Sequence, residues 1–239
     1  MTEAGTASER SPHRVLRVGV AVPAAGSGRR LGGSRKPFIE LSGEPILLHA
    51  LRPFLADARV VAVVVALGAE DAADPPSWLT ELDVRVRVVA GGASRAESVG
   101  LALAVLPDDV TVIAVHDAAR PLVTEDVVRA CIDLASTGVG AVAGCPAVDT
   151  MKAVDTDAYI VATPDRSTLW HAQTPQVFPA DMLRRAYEQE GVSATDDAAL
   201  VERAGGRVRM VDGGPSNIKV TRPGDLALAE AILRARKSP

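Results

Sequence analysis

Val15-Leu-Arg-Val-Gly-Val-Ala-Val22 runs straight into Pro23-Ala-Ala-Gly26-Ser-Gly28-Arg-Arg30-Leu-Gly-Gly-Ser-Arg-Lys36-Pro37, and the fold turns on how this junction is read. A short apolar run bounded by a glycine-rich loop reads as a buried strand that delivers the loop to one edge of a sheet. Four further runs have the same character: Val60–Ala66, Val84–Val89, Val110–Val115 and Val139–Cys145. Helical stretches separate them. Pro45–Leu55 carries proline in its first turn, Ser94-Arg-Ala-Glu97 is a capping box opening a helix to Leu106, and Thr124-Glu-Asp starts another. Strands that alternate with helices, and that lack polar alternation, predict an α/β fold. Its sheet is mostly parallel and twisted, with helices on both faces. Right-handed crossovers then put ligands at the carboxyl ends of the strands, in the loops 23–37, 91–94 and 116–121.

Farther along, the rhythm changes. Asp149–Val154, the acidic turn Asp155-Thr-Asp-Ala and Tyr159–Ala162 predict a projecting β-hairpin arm within about 146–170. A lone hairpin is marginal in water, so the arm is expected to pack on something, such as a second copy. Helices are expected at Pro179–Glu190, Thr195–Ala204 and Pro223–Ala235, with a strand at Arg207–Val211. The polar stretch 1–14 is expected to be a disordered tail, and 15–239 a single domain.

The composition excludes several classes of function. Of 239 residues, 47% are hydrophobic, enough for one sizeable core, and the net charge of −4 gives no global field for nucleic acid. Phosphates must therefore be met by a local cluster of cations. Cys131 and Cys145 lack CxxC spacing and read as thiols of a reducing compartment. His13, His49, His116 and His171 lack zinc-ligand spacing. The opening apolar run is broken by Arg17 and Pro23, so neither a signal peptide nor a membrane span is expected, and the chain is placed in the cytoplasm. It holds 22 arginines but only 4 lysines, at 36, 152, 219 and 237. A chain so biased toward arginine is expected to keep lysine where a compact ammonium is needed.

The glycine loop combines small residues with Arg29, Arg30, Arg35 and Lys36, the makings of an anion cradle. It is neither of two familiar loops. A dinucleotide fingerprint would need glycine at Leu31, and a Walker A loop would need lysine after its glycine, where Ser34 stands.

At this loop the sequence resembles the sugar-phosphate nucleotidyltransferases, with a Rossmann-like nucleotidyltransferase fold. Six ordered blocks narrow the resemblance to the 2-C-methyl-D-erythritol 4-phosphate cytidylyltransferase family. They are PAAGSGRR at 23–30 with Lys36, GGASRAESV at 91–99, HDAARP at 116–121, DRSTLWHAQTPQ at 165–176, ATDDA at 194–198 and NIKVTRP at 217–223. The resemblance implies CTP binding by Pro23, Ala24, Ala25, Gly26, Gly28, Arg30, Lys36, Gly91, Gly92, Arg95, Ser98 and Ala118. It implies acceptor binding by Asp117, Arg166, Thr174, Thr195 and Lys219, with catalysis carried by Arg30, Lys36, Arg166 and Lys219. Two residues have plainer roles open to them: Asp117 could cap its own loop, and Thr195 could be a helix N-cap. Arg120 is expected to buttress its loop. Many relatives carry an acid where this chain has Ala93, so no side-chain contact to the base is expected there.

The implied reaction moves CMP from CTP to the acceptor phosphate and releases pyrophosphate. Magnesium would be bound mainly through the CTP triphosphate, with no dedicated protein metal site. The resemblance also implies a homodimer through the 146–170 arm, with Arg166 completing the neighbour's site. Three other readings stand beside it: a ribitol 5-phosphate cytidylyltransferase, a non-catalytic nucleotide-binding module, and an NAD-dependent oxidoreductase. No fused cyclodiphosphate synthase domain is expected after Pro239.

Overall fold

In a computed structural model, which describes residues 15–26, 36–189 and 195–237, the opening apolar run becomes β1 (Val18–Pro23), buried from Val18 to Val22. The expected tail 1–14 lies outside the described residues, as do Gly28 and Arg30 of the glycine loop and the Lys36 side chain. Lys36 opens a single 3-10 turn, Lys36–Phe38. A small ribbon of β2 (Glu40–Leu41) and β3 (Glu44–Pro45) leads into α1 (Ile46–Leu55). The chain continues through β4 (Val60–Leu67), two short helices α2 (Ala69–Ala73) and α3 (Ser77–Thr80), β5 (Val86–Ala90) and α4 (Arg95–Leu103). Next come β6 (Val112–Val115), α5 (Glu125–Ser136) and β7 (Gly140–Pro146).

Valine-rich runs without polar alternation become strands because β-branched side chains suit a pleated surface covered on both sides. In β4 the two faces separate cleanly. Val63 and Val65 pack with Leu47, Leu51 and Phe54 of α1 and with Val128 and Ile132 of α5. Ala62 and Val64 point the other way, toward Val99, Ala102 and Leu103 of α4.

The arm is present as a hairpin of β8 (Ala153–Val154) and β9 (Ile160–Ala162). The Asp155 carboxylate makes its turn by accepting from the amides of Asp157 (3.0 Å) and Tyr159 (2.9 Å). Val154, Tyr159, Ile160 and Val161 are all exposed on it.

The next strand is one the sequence does not announce. β10 (Trp170–Pro179) runs antiparallel between β6 and β7, through a stretch rich in glutamine and proline. Its pairing with β7 slips between Ala172 and Gln176, and the intervening Gln173-Thr174-Pro175 accommodates a proline that has no amide to donate. The slip leaves Gln173, Thr174 and Gln176 buried. After α6 (Ala180–Glu188), helix α7 (Asp197–Arg203) is capped by Asp196, whose carboxylate accepts from the Ala199 amide (3.1 Å), so Thr195 is not the N-cap. The chain closes with β11 (Val208–Asp212), parallel to β7, and α8 (Pro223–Lys237). The sheet order is β11-β7-β10-β6-β1-β4-β5, a mostly parallel sheet with one antiparallel strand next to its centre.

Candidate active site

The carboxyl edge of the sheet gathers the loops that follow β1, β5 and β6. Together with the start of α4 and the segment between Asp212 and Pro223 they line a cavity of about 330 Å³ that takes in Pro23, Ala24, Ala25, Gly26, Gly92, Arg95, Ser98, Asp117, Ala118 and Lys219. A second cavity of about 240 Å³ is lined by Asp117, Thr174, Thr195 and Lys219, with Arg95, Arg120, Gln173 and Gln176. Arg95, Asp117 and Lys219 line both, so the cavities adjoin along one charged wall.

The capping box of α4 shapes the first cavity. Ser94 accepts from the Glu97 amide (3.1 Å), and Glu97 accepts from the Ala93 amide (2.8 Å). One turn on, the Ser98 hydroxyl accepts from the Gly92 amide (3.1 Å) and donates to the Ser94 carbonyl (2.9 Å). Ser98 therefore holds the two-glycine turn in place and has one lone pair left. Gly91 lines neither cavity, but a Cβ there would lie 2.6 Å from that of Ala25, so glycine lets the loop after β1 pack against this turn.

The charged wall is an alternating chain of ion pairs. Lys219 Nζ lies 2.7 Å from Asp117 Oδ2, Arg95 Nε donates to Asp117 Oδ1 (2.9 Å), and Arg95 Nη2 donates to Asp197 Oδ2 (2.8 Å). Burial alone would push the Asp117 carboxyl up. The opposing pull of Arg95 and Lys219 is larger and holds it well below the usual carboxylate range. Asp117 thus braces two cations rather than capping its own loop. Arg120 does buttress, donating to the carbonyls of Asn217 (2.8 Å) and Ala172 (3.4 Å).

Thr174 is committed inward. Its hydroxyl accepts from the Asp117 amide (3.0 Å) and lies 3.0 Å from His116 Nδ1. His116 Nε2 lies 3.1 Å from the Arg120 carbonyl, so that nitrogen carries the proton and Nδ1 accepts from Thr174. Burial lowers the His116 pKa to about 4, which keeps the ring neutral. Arg166 lines neither cavity and sits on the arm, where its guanidinium donates to the Val148 carbonyl (2.6 Å).

Some contributors were not visible as such in the sequence. Asp197 appears there only as one letter of ATDDA, and Tyr187, which donates to it (2.5 Å), carries no motif at all. Asn217 is buried and ties Gln173 to the Thr174 carbonyl, at 2.9 Å each.

A mostly parallel α/β sheet whose carboxyl edge carries two adjoining cavities with a shared cationic wall is the framework of a nucleotidyltransferase. The model of the family described as "IspD: 2-C-methyl-D-erythritol 4-phosphate cytidylyltransferase" matches residues 18–235. The chain belongs to this family and is a cytidylyltransferase. Its similarity to the 2-C-methyl-D-erythritol 4-phosphate cytidylyltransferase of Symbiobacterium thermophilum is 46% identity over 220 residues, 90% of this chain and 92% of the relative. The crystal structure of 4-diphosphocytidyl-2C-methyl-D-erythritol synthase from Anaerococcus prevotii superposes with a TM-score of 0.83 at 27% identity, over 94% of this chain and all of that one. The Thermus thermophilus 2-C-methyl-D-erythritol 4-phosphate cytidylyltransferase gives 0.75 at 32% identity, over 92% and 98%.

The neutral, buried His116 predicts a particular acid sensitivity. A histidine whose folded pKa is about 4 binds fewer protons than the unfolded chain does below about 6.5. Its contribution is intact above pH 6.5 and is lost as pH falls toward 4, amounting to about 3 kcal/mol. Urea melts at half-unit steps from pH 7 to 4 should show this loss in the wild type and a flatter profile in His116→Gln. Parallel profiles would assign the sensitivity to other groups.

Proposed function

We propose that this cytidylyltransferase joins its substrates without a covalent enzyme intermediate: the phosphate of 2-C-methyl-D-erythritol 4-phosphate attacks the α-phosphorus of CTP directly. The products are 4-diphosphocytidyl-2-C-methyl-D-erythritol and pyrophosphate, in the non-mevalonate supply of isoprenoid precursors. One observation carries the mechanism. Two cavities adjoin along Arg95, Asp117 and Lys219, as a reaction between two polyanions requires. A phosphomonoester is mostly dianionic at neutral pH and needs no base to become a nucleophile. What remains is to hold the two phosphates in line and to stabilise charge on the group in transfer.

In this reading CTP lies in the larger cavity, with the Gly92 backbone and the remaining Ser98 lone pair facing cytosine, whose N4 amine is a donor that uracil lacks. Arg30 and Lys36 meet the triphosphate. Lys219 holds the acceptor phosphate beside it, Thr195 lines its cavity, and Thr174 orders the Asp117 loop. Bound magnesium would supply neutralisation of the triphosphate. Among the described residues no group of three His, Cys, Asp or Glu side chains could hold a metal, and both Asp117 oxygens already face cations. That suits an ion carried by the nucleotide and water.

The arm supports a homodimer. Val148, Val154, Tyr159, Ile160 and Val161 are each more than half exposed on one small hairpin region, the kind of surface that a partner covers. Arg166 on this arm would reach the neighbour's acceptor phosphate, which a guanidinium fork suits. Among the described residues no helix is long and apolar enough to cross a membrane. Two free thiols fit the reducing cytoplasm.

Pyrophosphate release tests the assignment. With CTP, methylerythritol 4-phosphate should exceed ribitol 5-phosphate in kcat/KM by at least about a hundredfold, and CTP should exceed UTP comparably. Preference for ribitol 5-phosphate would move the chain to the sister activity, and equal use of ATP and GTP would defeat the cytidine assignment.

A second experiment tests the shared site. Arg166→Ala and Lys219→Ala homodimers should each be severely impaired. A heterodimer of the two variants has one site with both defects and one with neither, so mixing should restore activity. If Arg166 acts within its own chain, mixing restores nothing.

A further inference from the structure

The ion-pair chain does not stop at the wall of the cavities. Behind Arg95 stands Asp197, the first residue of α7, which is completely buried and lines neither cavity. Its Oδ2 accepts from Arg95 Nη2 (2.8 Å), and its Oδ1 accepts from the Tyr187 hydroxyl (2.5 Å) near the end of α6. A buried ion pair is a poor way to gain stability, because well-packed apolar side chains of similar volume usually serve as well or better. A fully buried acid with both oxygens engaged points instead to control over the group it holds.

That group is placed for chemistry. Arg95 is held at two points, Nε by Asp117 (2.9 Å) and Nη2 by Asp197, and two carboxylates on a planar guanidinium fix its orientation. Nη1 makes no hydrogen bond to another described residue, and Arg95 lines both cavities. Tyr187 keeps its proton at any physiological pH, since burial and the neighbouring Asp197 both raise its pKa, and so it is a permanent donor.

We propose that Asp197 and Tyr187 are positioning residues for the transfer step. They hold Arg95 so that its unengaged Nη1 meets the phosphoryl group passing between the cavities. Arg95 thereby becomes a catalytic residue as well as part of the nucleotide pocket. The inference rests on the reading of the two cavities as the CTP and acceptor sites. Losing Asp197 leaves the guanidinium tethered only at Asp117 and free to turn about that contact.

The test is a set of double-mutant cycles with CTP and methylerythritol 4-phosphate as substrates. Asp197→Asn should lower kcat by roughly ten- to a hundredfold, the scale of misplacing one catalytic group. Tyr187→Phe should lower it less, and both should leave KM for CTP within about threefold of wild type. Each substitution should cost nothing further in an Arg95→Ala background, because both act through Arg95. Unchanged kcat in a folded variant, or losses that simply add to that of Arg95→Ala, would overturn the positioning role. If Asp197→Asn fails to fold, the Tyr187→Phe cycle decides alone. Wild-type enzyme run in parallel separates the two readings. A wild type that does not turn over these substrates overturns the substrate assignment and the positioning role with it, whereas a fully active wild type with unaffected variants overturns the positioning role alone.

Discussion

Asp117, a carboxylate buried between an arginine and a lysine, is the constraint on which the rest of the site depends. It sits just past β6, its arginine comes from the first turn of α4, and its lysine from the segment between β11 and α8. Three parts of the chain that are distant in sequence must therefore meet at one point. A buried charge left without its partners costs several kcal/mol, so the pairing restrains where α4 and the 217–221 segment can lie. It also explains how a chain with a net charge of −4 can present cations to phosphates. The cations are assembled locally, around an acid that keeps them in place before any substrate arrives. Electrostatic catalysis depends on this kind of preorganisation, because groups already aimed need no reorganisation when charge develops.

Polar groups in the surroundings serve the same end by turning inward. Thr174 spends its hydroxyl on the Asp117 amide and on His116, Ser98 spends most of its own on the turn at Gly92, and Asn217 secures β10 at its slip. The fold thus uses hydroxyls and amides to fix backbone and leaves charged side chains to face the cavities. The division follows from energetics. A buried hydroxyl or amide without a partner is expensive, while an exposed ammonium loses little by waiting in water.

Much of this was legible in the sequence. The five valine-rich runs, the capping box at Ser94–Glu97 and the hairpin with its acidic turn all form close to where their residues predict, because local pattern and tertiary environment agree there. β10 was not legible, since a strand with glutamine, threonine and proline facing a site has neither alternation nor a continuous apolar run. Thr195 reads as a possible N-cap, yet the next residue, Asp196, takes that place by offering a carboxylate to the Ala199 amide. Arg95 is legible as a pocket residue. Its ion pairs are not, because partners 22 and 102 positions along the chain, Asp117 and Asp197, leave no trace in spacing. The ordered motifs spanned the chain, and the family match from 18 to 235 covers the same ground.

The central claim is that placement and charge suffice, with no enzyme nucleophile. Among the described residues, the hydroxyls of Ser98 and Thr174 are already engaged, His116 is sealed in the interior, and Cys145 lines neither cavity. The most direct measurement is the stereochemistry at the α-phosphorus, using CTP with one nonbridging α-oxygen replaced by sulfur in a single configuration. Direct attack by the acceptor phosphate predicts inversion in the 4-diphosphocytidyl product. Retention would require two successive displacements through a cytidylylated enzyme and would contradict the account.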